Sequence, residues 1–329
     1  MPANHSPLLE TNIITVTLNP AIDETVFLDQ LKPGAVNRAR HHHRQAGGKG
    51  INISSMLGQF GIANAATGFL GKQNPQLFEQ LFLNTGVRDE CIRIAGETRT
   101  GIKIVCQSTQ ETTDINFPGA SPSAEDLAAL ANKLEQLARP GRWFLIGGSL
   151  PTGVSIEDFI LLLKILKNGG ASIAVDTHGD ALKSAIACGV DLIKPNQDEL
   201  AGILDSSPLD QETQFAAVAQ IQRNGVAHVI LSMGSDGALF ATPDGWIIAK
   251  PPPVQVSSTV GAGDSLLAGY IAGLTTNRPL AECAAMATVF AWCALEHVTR
   301  QLPDYQEIEK RIRRIDVRPS GYSDKILPE

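Results

Sequence analysis

The residues best suited to chemistry stand at the head of an apolar helical pattern. Ser258-Thr259-Val260-Gly261-Ala262-Gly263-Asp264-Ser265 follows Pro251-Pro252-Pro253 and leads into the apolar stretch 266–274. Gly261, Ala262 and Gly263 have little or no side chain, so their backbone N–H groups can crowd around an anion at the positive end of the helix. Asp264, in the first turn beside those donors, can accept a proton from an attacking hydroxyl. Together they suit phosphoryl transfer. Aspartate in a first turn is also common as a cap, so the carboxylate has a structural alternative.

A second glycine cluster, Gly47-Gly48-Lys49-Gly50-Ile51-Asn52-Ile53-Ser54, opens the helical pattern 51–60 and is followed by Gly61 and Gly71. It lacks the G-x4-G-K-[ST] spacing of a P-loop, and Ile53 stands where a dinucleotide fingerprint needs its third glycine. Lys49 and Asn52 offer donors to hydroxyls or phosphate. A tight packing turn would use the same glycines. His41 and His43 would share one face of a strand, but no carboxylate or cysteine lies nearby at ligand spacing for zinc. Gly148-Ser149 is no hydrolase elbow, because Pro151 occupies the place of the second glycine in G-x-S-x-G.

These groups need elements to hold them. From Trp143 onward, apolar runs at 143–146, 172–175, 191–193 and 228–231 alternate with amphipathic segments at 156–167, 210–223 and 280–297. That alternation predicts a parallel sheet covered by helices, with ligands at the carboxyl ends of its strands. The amino-terminal third differs: 25–28, 38–44, 102–105 and 112–117 are strand-like without long helices between them. They predict a small second sheet, placed to act as a lid. The apolar stretch 159–166, interrupted by Lys164, is far short of the ~20 residues that cross a bilayer and is expected to be a buried helix.

Composition narrows the classes. A chain of 329 residues with 43% apolar and 19% charged residues has room for a large α/β core with an appendage. A net charge of -7 gives no broad basic field for nucleic acid or anionic lipid, so phosphate must be met by a few placed cations. Five scattered cysteines without a C-x-x-C pair suggest neither a disulfide framework nor zinc, and the first dozen residues lack signal-peptide features. A cytoplasmic protein fits this usage.

The two glycine motifs, in this order and separation, resemble the paired signatures of the PfkB/ribokinase family of carbohydrate kinases. The likeness extends through Thr17-Leu18-Asn19-Pro20-Ala21-Ile22-Asp23, Gly148-Ser149-Leu150-Pro151, Lys194-Pro195-Asn196-Gln197-Asp198-Glu199 and Ser232-Met233-Gly234-Ser235-Asp236-Gly237. It implies an α/β, ribokinase-like fold: a mostly parallel sheet flanked by helices, residues 1–329 as one domain, with lid strands from about 24–45 and 98–118. The cofactors implied are ATP and Mg²⁺.

Carried over residue by residue, the resemblance makes Asp264 the base, and Gly261, Ala262 and Gly263 its anion hole. Asp23, Gly48, Asn52 and Ser149 would bind the sugar, while Arg38, Arg99 and Lys49 would clamp a phosphate it already carries. Lys194, Asn196, Ser232, Gly234, Gly237, Ser258 and Val260 would contact the nucleotide, and Glu199 would orient magnesium through water. A capping box explains Asn196 and Glu199 equally well, and Asp236-Gly237 is also a simple hairpin turn. The chain departs from the family pattern at Gly147, where S-G-S-L-P has serine, and at His178, where D-[ST]-S-G has serine.

Asn37-Arg38, Thr98-Arg99 and Asp114-Ile115-Asn116-Phe117, with the Lys49 loop, resemble the phosphosugar-using members. Fructose 1-phosphate is the first substrate implied, giving fructose 1,6-bisphosphate; tagatose 6-phosphate is second and fructose 6-phosphate third. A catalytically inactive sugar-phosphate sensor on the same fold is the alternative from another class. A nicotinamide oxidoreductase would need a Gly-rich turn after the first strand, but 14–18 leads into Asn19-Pro20. The expected partners are the phosphosugar and ATP, without nucleic acid or membrane. A homodimer through the open edges of the lid is also expected.

Overall fold

The computed structural model describes residues 11–106, 108–109, 111–206, 210–297 and 301–322. Its first strand, Ile13–Thr17, is buried at every position and consists of β-branched residues, which suit a strand covered on both faces. It lies within an 11-stranded sheet, between Asn64–Gly71 and Trp143–Gly147, and is parallel to both. Parallel pairing continues through Ser172–Asp176, Leu192–Ile193 and His228–Ser232. Three antiparallel strands, Ala238–Thr242, Gly245–Lys250 and Asp316–Pro319, complete that edge. Arg88–Asp89 and Ile92–Ile94 pair with Asn64–Gly71 at the other.

The two-residue period of the strands divides the core between the faces of the sheet. Ile14, Val16, Phe144, Ile146, Ile173 and Val175 pack with helices Ala124–Leu137, Ile156–Asn168, Gly179–Ala187 and Gln211–Arg223. Ile13, Leu145, Ala174 and Ile230 pack with Lys49–Gln59, Ala262–Thr275, Leu280–Glu296 and Tyr305–Ile312. The apolar stretch at 159–166 lies in helix Ile156–Asn168, with Phe159, Leu162, Leu163 and Leu166 buried and Leu161 exposed; the helix starts with a capping box between Ser155 and Asp158. Among the described residues no helix is long and apolar enough to cross a membrane.

A separate four-stranded sheet has the order His41–Gly47, Ala21–Leu28, Arg99–Cys106, Thr112–Asn116. Its central pair is parallel and its outer pairs antiparallel. These are the strands expected in the amino-terminal third, with shifted bounds: those expected from residues 25 and 102 begin earlier, at Ala21 and Arg99, and the one expected from residue 38 begins later, at His41. Arg40 N–H still bonds to Phe27 C=O, but the loop before it turns through Gly34 (φ 74°) and holds residues 38–40 outside the ladder. The architecture is the expected one, a mostly parallel sheet flanked by helices with a small sheet beside it.

Helix Ala262–Thr275, which carries the candidate base, lies against Leu280–Glu296 through Gly269. A Cβ there would sit 2.7 Å from Ala287 Cα and 2.8 Å from Met286 O. Both are backbone atoms, so relief requires moving a helix. Gly269→Ala gains about 1 kcal/mol of helix propensity but overpacks this contact by about 1–3 kcal/mol. A net loss of stability is expected, read as a lower denaturation midpoint with unchanged m-value.

Candidate active site

Helix Ala262–Thr275 begins after Gly261, whose left-handed backbone (φ 79°) turns the loop into the helix. The first helical bond runs from Ser265 N–H to Gly261 C=O at 2.9 Å, so the amides of Gly263 and Asp264 precede the helical ladder. Asp264 makes no capping bond. Its Oδ2 accepts a hydrogen bond from Asn52 Nδ2 at 2.6 Å, and the residue is 7% exposed. The capping alternative is thereby removed. Asn52 sits in the first turn of Lys49–Gln59, which starts from Gly48 (φ 116°), so the two glycine loops bring the heads of two helices together. Burial, reinforced by the Asp176 carboxylate, pushes the Asp264 pKa up; Asn52, Lys49 and Lys194 act against that rise.

Asp176 ends the buried strand Ser172–Asp176 and is 1% exposed. Lys49 Nζ lies 2.7 Å from its Oδ1, and Lys194 Nζ lies 3.2 Å from its Oδ2. Burial disfavours its charge, yet the two ammonium groups hold its carboxyl below the usual carboxylate range. Burial likewise opposes the Lys49 charge, and Asp176 outweighs it, so the ammonium is held above the ordinary lysine value. Lys49, expected to meet the phosphate of the sugar, is thus placed beside Lys194. Its Nζ is also 3.9 Å from Glu199 Oε1. Lys194 Nζ lies 3.0 Å from where a Cβ on Gly263 would stand, so nothing separates that ammonium from the head of the helix.

Asn196 and Glu199 do form a capping box at Gln197–Ile203. Asn196 Oδ1 accepts from Glu199 N–H at 2.7 Å, and Glu199 Oε2 accepts from Asn196 N–H at 2.9 Å. The second Glu199 oxygen is the one near Lys49. A cavity of about 800 Å³ adjoins this corner. Its lining includes Asn196, Ser232, Gly234 and Gly237, and Thr259 and Gly263 from the loop and first turn before the base. Ser258 and Val260 flank Thr259, with Ser258 Oγ accepting from Val260 N–H at 3.2 Å. The Asp236-Gly237 turn joins the antiparallel strands His228–Ser232 and Ala238–Thr242.

The remaining candidates gather where the small sheet meets the large one. Asp23 lies on Ala21–Leu28, so close to Gly47 that a Cβ there would collide with its carboxylate. Lys103 Nζ is 3.4 Å from Asp23 Oδ1. Arg99 Nη1 donates to Phe117 C=O at 3.4 Å, and its buried Nε has no hydrogen-bond partner among the described residues. Burial lowers the Arg99 pKa, with Asp23 opposing. Asn19 Nδ2 donates to Ser149 Oγ at 3.0 Å, and Asn19 and Arg99 both border Gly119. Arg38 is apart from this group, exposed in the loop before His41–Gly47 and without an ion pair or hydrogen bond among the described residues.

Exposed His42 pairs with half-buried Glu24 at 2.9 Å, and His41 stacks on Phe27. His178 precedes Gly179–Ala187, exposed and without a capping bond. Among the described residues no three His, Cys, Asp or Glu side chains cluster to hold a metal. A magnesium ion would fit here as one that takes most of its ligands from nucleotide phosphates and water, with Glu199, whose Oε1 lies near Lys49, as the acid that would hold a water of its shell. Sequence reasoning missed Asp176, Lys103 and Asn19. Asp176 was visible as an acid closing the apolar run 172–175, and Lys103 as a cation between Ile102 and Ile104.

Fold and site define a class, and the comparisons agree with it. The pattern of the pfkB family carbohydrate kinases matches residues 16–306, and the chain belongs to that family. The chain is 41% identical over 288 residues to the 1-phosphofructokinase of Xanthomonas campestris pv. campestris, covering 86% of this chain and 91% of that protein. It is 39% identical over 307 residues to the 1-phosphofructokinase of Rhodobacter capsulatus, covering 93% and 97%. Among solved structures, phosphofructokinase-2 from Escherichia coli in complex with substrates and products superposes with a TM-score of 0.86 at 27% identity, covering 92% of this chain and 99% of that one. The fold is ribokinase-like and the protein is a sugar kinase, transferring phosphate to a hydroxyl.

Removing the Asp176 charge leaves two ammonium groups facing each other in a buried site. Asp176→Asn is expected to cost about 3–5 kcal/mol of stability at neutral pH. The folded pKa of Asp176 is depressed, so its contribution is present above the unfolded carboxyl pKa and is lost as pH falls through the folded value. Denaturation of both proteins across that range should show the gap closing in acid.

Proposed function

We propose that this kinase moves the γ-phosphoryl of ATP onto the free primary hydroxyl of fructose 1-phosphate, giving fructose 1,6-bisphosphate, with Asp264 as general base. The observation that carries this reading is the placement of the Asp264 carboxylate: buried, free of capping duty and held by Asn52. Gly263 beside it lines the nucleotide-sized cavity, and Gly47, at the head of the Asn52 helix, touches Asp23. The phosphosugar assignment is supported by the half-buried Arg99 and by the 1-phosphofructokinase relatives.

In this mechanism the cavity takes the adenosine, with Asn196, Ser232, Gly234, Gly237, Ser258 and Val260 around it. The amides of Gly261, Ala262 and Gly263 and the Lys194 and Lys49 ammonium groups receive the negative charge of the phosphoryl in flight. Magnesium, when bound with the nucleotide, supplies further neutralisation of its phosphates, with Glu199 holding its water shell. Asp23, Gly48, Asn52 and Ser149 orient the sugar, and Arg99 pairs with its phosphate. Asp264 then takes the hydroxyl proton as the oxygen attacks. The small sheet serves as a lid that excludes water.

The outer strands His41–Gly47 and Thr112–Asn116 leave unpaired edges, and Ile115 (43%) and Phe117 (48%) are exposed beside one of them. A second copy would cover this surface in a homodimer, where Arg38 would face the partner. A related E. coli phosphofructokinase-2 structure is described as a tetrameric inhibited form, which supports assembly. Five free cysteines suit a reducing cytoplasm. Fructose 6-phosphate is the second reading, favoured by the E. coli phosphofructokinase-2 superposition.

ADP release with Mg·ATP and equal concentrations of fructose 1-phosphate, tagatose 6-phosphate, fructose 6-phosphate and free fructose tests the substrate. The highest kcat/KM is expected for fructose 1-phosphate; preference for another phosphosugar would overturn the substrate and keep the mechanism.

Asp264→Asn should lower kcat by roughly 10² to 10⁴ while ATP still binds, because a general base acts in the transition state. Its raised folded pKa means that stability is fully present below the unfolded carboxyl pKa and is lost as pH rises through the folded one. The variant should therefore melt higher than the parent at neutral pH, which separates lost chemistry from lost folding. For the parent, the acid limb of kcat should lie above the ordinary aspartate pKa of about 3.9.

A further inference from the structure

Arg99, Gly101 and Lys103 alternate along Arg99–Cys106, so they share one face of the small sheet. Asp23, on the neighbouring strand, looks onto that face: its Oδ1 lies 3.4 Å from Lys103 Nζ and 3.6 Å from where a Cβ on Gly101 would stand. The row therefore reads cation, glycine, cation, with the Asp23 carboxylate on one neighbouring strand and Asn116 Oδ1, 3.3 Å from the same Cβ position, on the other. The Lys103 side chain is only 16% exposed and that of Asp23 12%. A surface lysine would extend into water, whereas this one is turned inward at the cost of part of its hydration.

The contact itself is incomplete. Charge-assisted N–H···O bonds close to about 2.7–2.9 Å, as Lys49 does on Asp176, and an ammonium carries three donors. At 3.4 Å from Asp23, Lys103 is close enough to balance the carboxylate and retains donors for a second acceptor. A kinase for neutral sugars can present a bare carboxylate to its substrate. A substrate that carries a phosphate dianion would be repelled by one, and the repulsion grows as the site closes and water leaves.

We propose that Lys103 is a specificity-determining residue, which balances Asp23 and, with Arg99 on the far side of Gly101, admits a phosphorylated sugar to a site built around a carboxylate. The inference rests on the phosphosugar-kinase reading above. Lys103 acts on binding of the acceptor and takes no part in proton transfer, which belongs to Asp264. Neither ATP nor the cavity that would hold it involves this residue.

The test is steady-state kinetics of Lys103→Met, Lys103→Gln and Lys103→Arg beside the parent, with thermal melts to verify folding. The neutral Met and Gln variants should raise KM for fructose 1-phosphate by at least about 30-fold, with smaller changes in kcat and in KM for ATP. Arg should restore most of the loss. Gln keeps a donor for Asp23 but not the charge, so recovery in Gln would show that Lys103 only props the carboxylate and would overturn the proposal. An unchanged KM in Met or Gln, or equal losses in kcat and both KM values, would overturn it too. If Met does not fold, Gln carries the comparison. A parent enzyme without activity on any phosphosugar would sink the functional reading itself, an outcome distinct from a parent that works and a Lys103 variant that works as well.

Discussion

A carboxylate that must remain ionised while nearly cut off from water needs partners, and Asp264 draws them from separate parts of the chain. Asn52 donates directly from the head of Lys49–Gln59. Lys49 and Lys194 act at longer range, one from that same helix and one from just beyond the strand Leu192–Ile193. Both lysines are fixed by Asp176 at the end of the neighbouring strand, so the positive charge around the base is set by the main sheet. The parallel register of Ile13–Thr17, Trp143–Gly147 and Ser172–Asp176 matters for this reason: it brings strand ends to one level, where the glycine loops cross.

Charge balance also explains why two anions can sit close together here. Asp176 and Asp264 raise each other's cost of ionisation, yet one is held below the usual range and the other above it. The difference lies in the partners. Asp176 has an ammonium on each oxygen, whereas Asp264 has a neutral amide and only distant cations. A carboxylate neutralised on both oxygens is a poor proton acceptor. One that is buried with weaker compensation is a better base, so the environment assigns the structural role to Asp176 and the chemical role to Asp264.

What was legible in the sequence followed local physics. The helices at 156–167 and 210–223 and the strands at 143–146 and 228–231 carry clear periods and match the structure within a residue or two. The Gly261 and Gly48 loops were readable because each clusters glycines directly before an apolar helical pattern. Strand Asn64–Gly71 was passed over because Asn64, Ala65, Ala66 and Gly68 have no strand preference of their own; it forms because Ile13–Thr17 pairs with it and both are buried. The edge strand Asp316–Pro319 likewise depends on a partner far along the chain, Gly245–Lys250. Lys49 could be identified as a phosphate-handling cation, but its position beside Lys194 depends on Asp176, 127 residues away. No local pattern carries that information.

The two halves of the site are built to different tolerances. Transfer residues stand on the main sheet and its helices, where the surrounding side chains are almost wholly buried. Among the described residues of the small sheet, Ile22 and Ala46 join a packed apolar cluster with Ile51, Ala66, Leu70, Phe78, Phe82 and Val87, while Ala21, Leu28 and Cys106 are buried outside it; the outer strand Thr112–Asn116 is exposed throughout. Few buried apolar contacts and many exposed backbone bonds are the features of an element that opens at low cost. Ile22 and Ala46 lie at the end nearest Gly47 and the Asn52 helix, so the sheet is anchored beside the base and loosest at its far edge. Asp23 adjoins that anchor, while Lys103 stands further along the neighbouring strand. Recognition of the acceptor is thus spread along a compliant element, and the charge arrangement that does the chemistry stays on a rigid one.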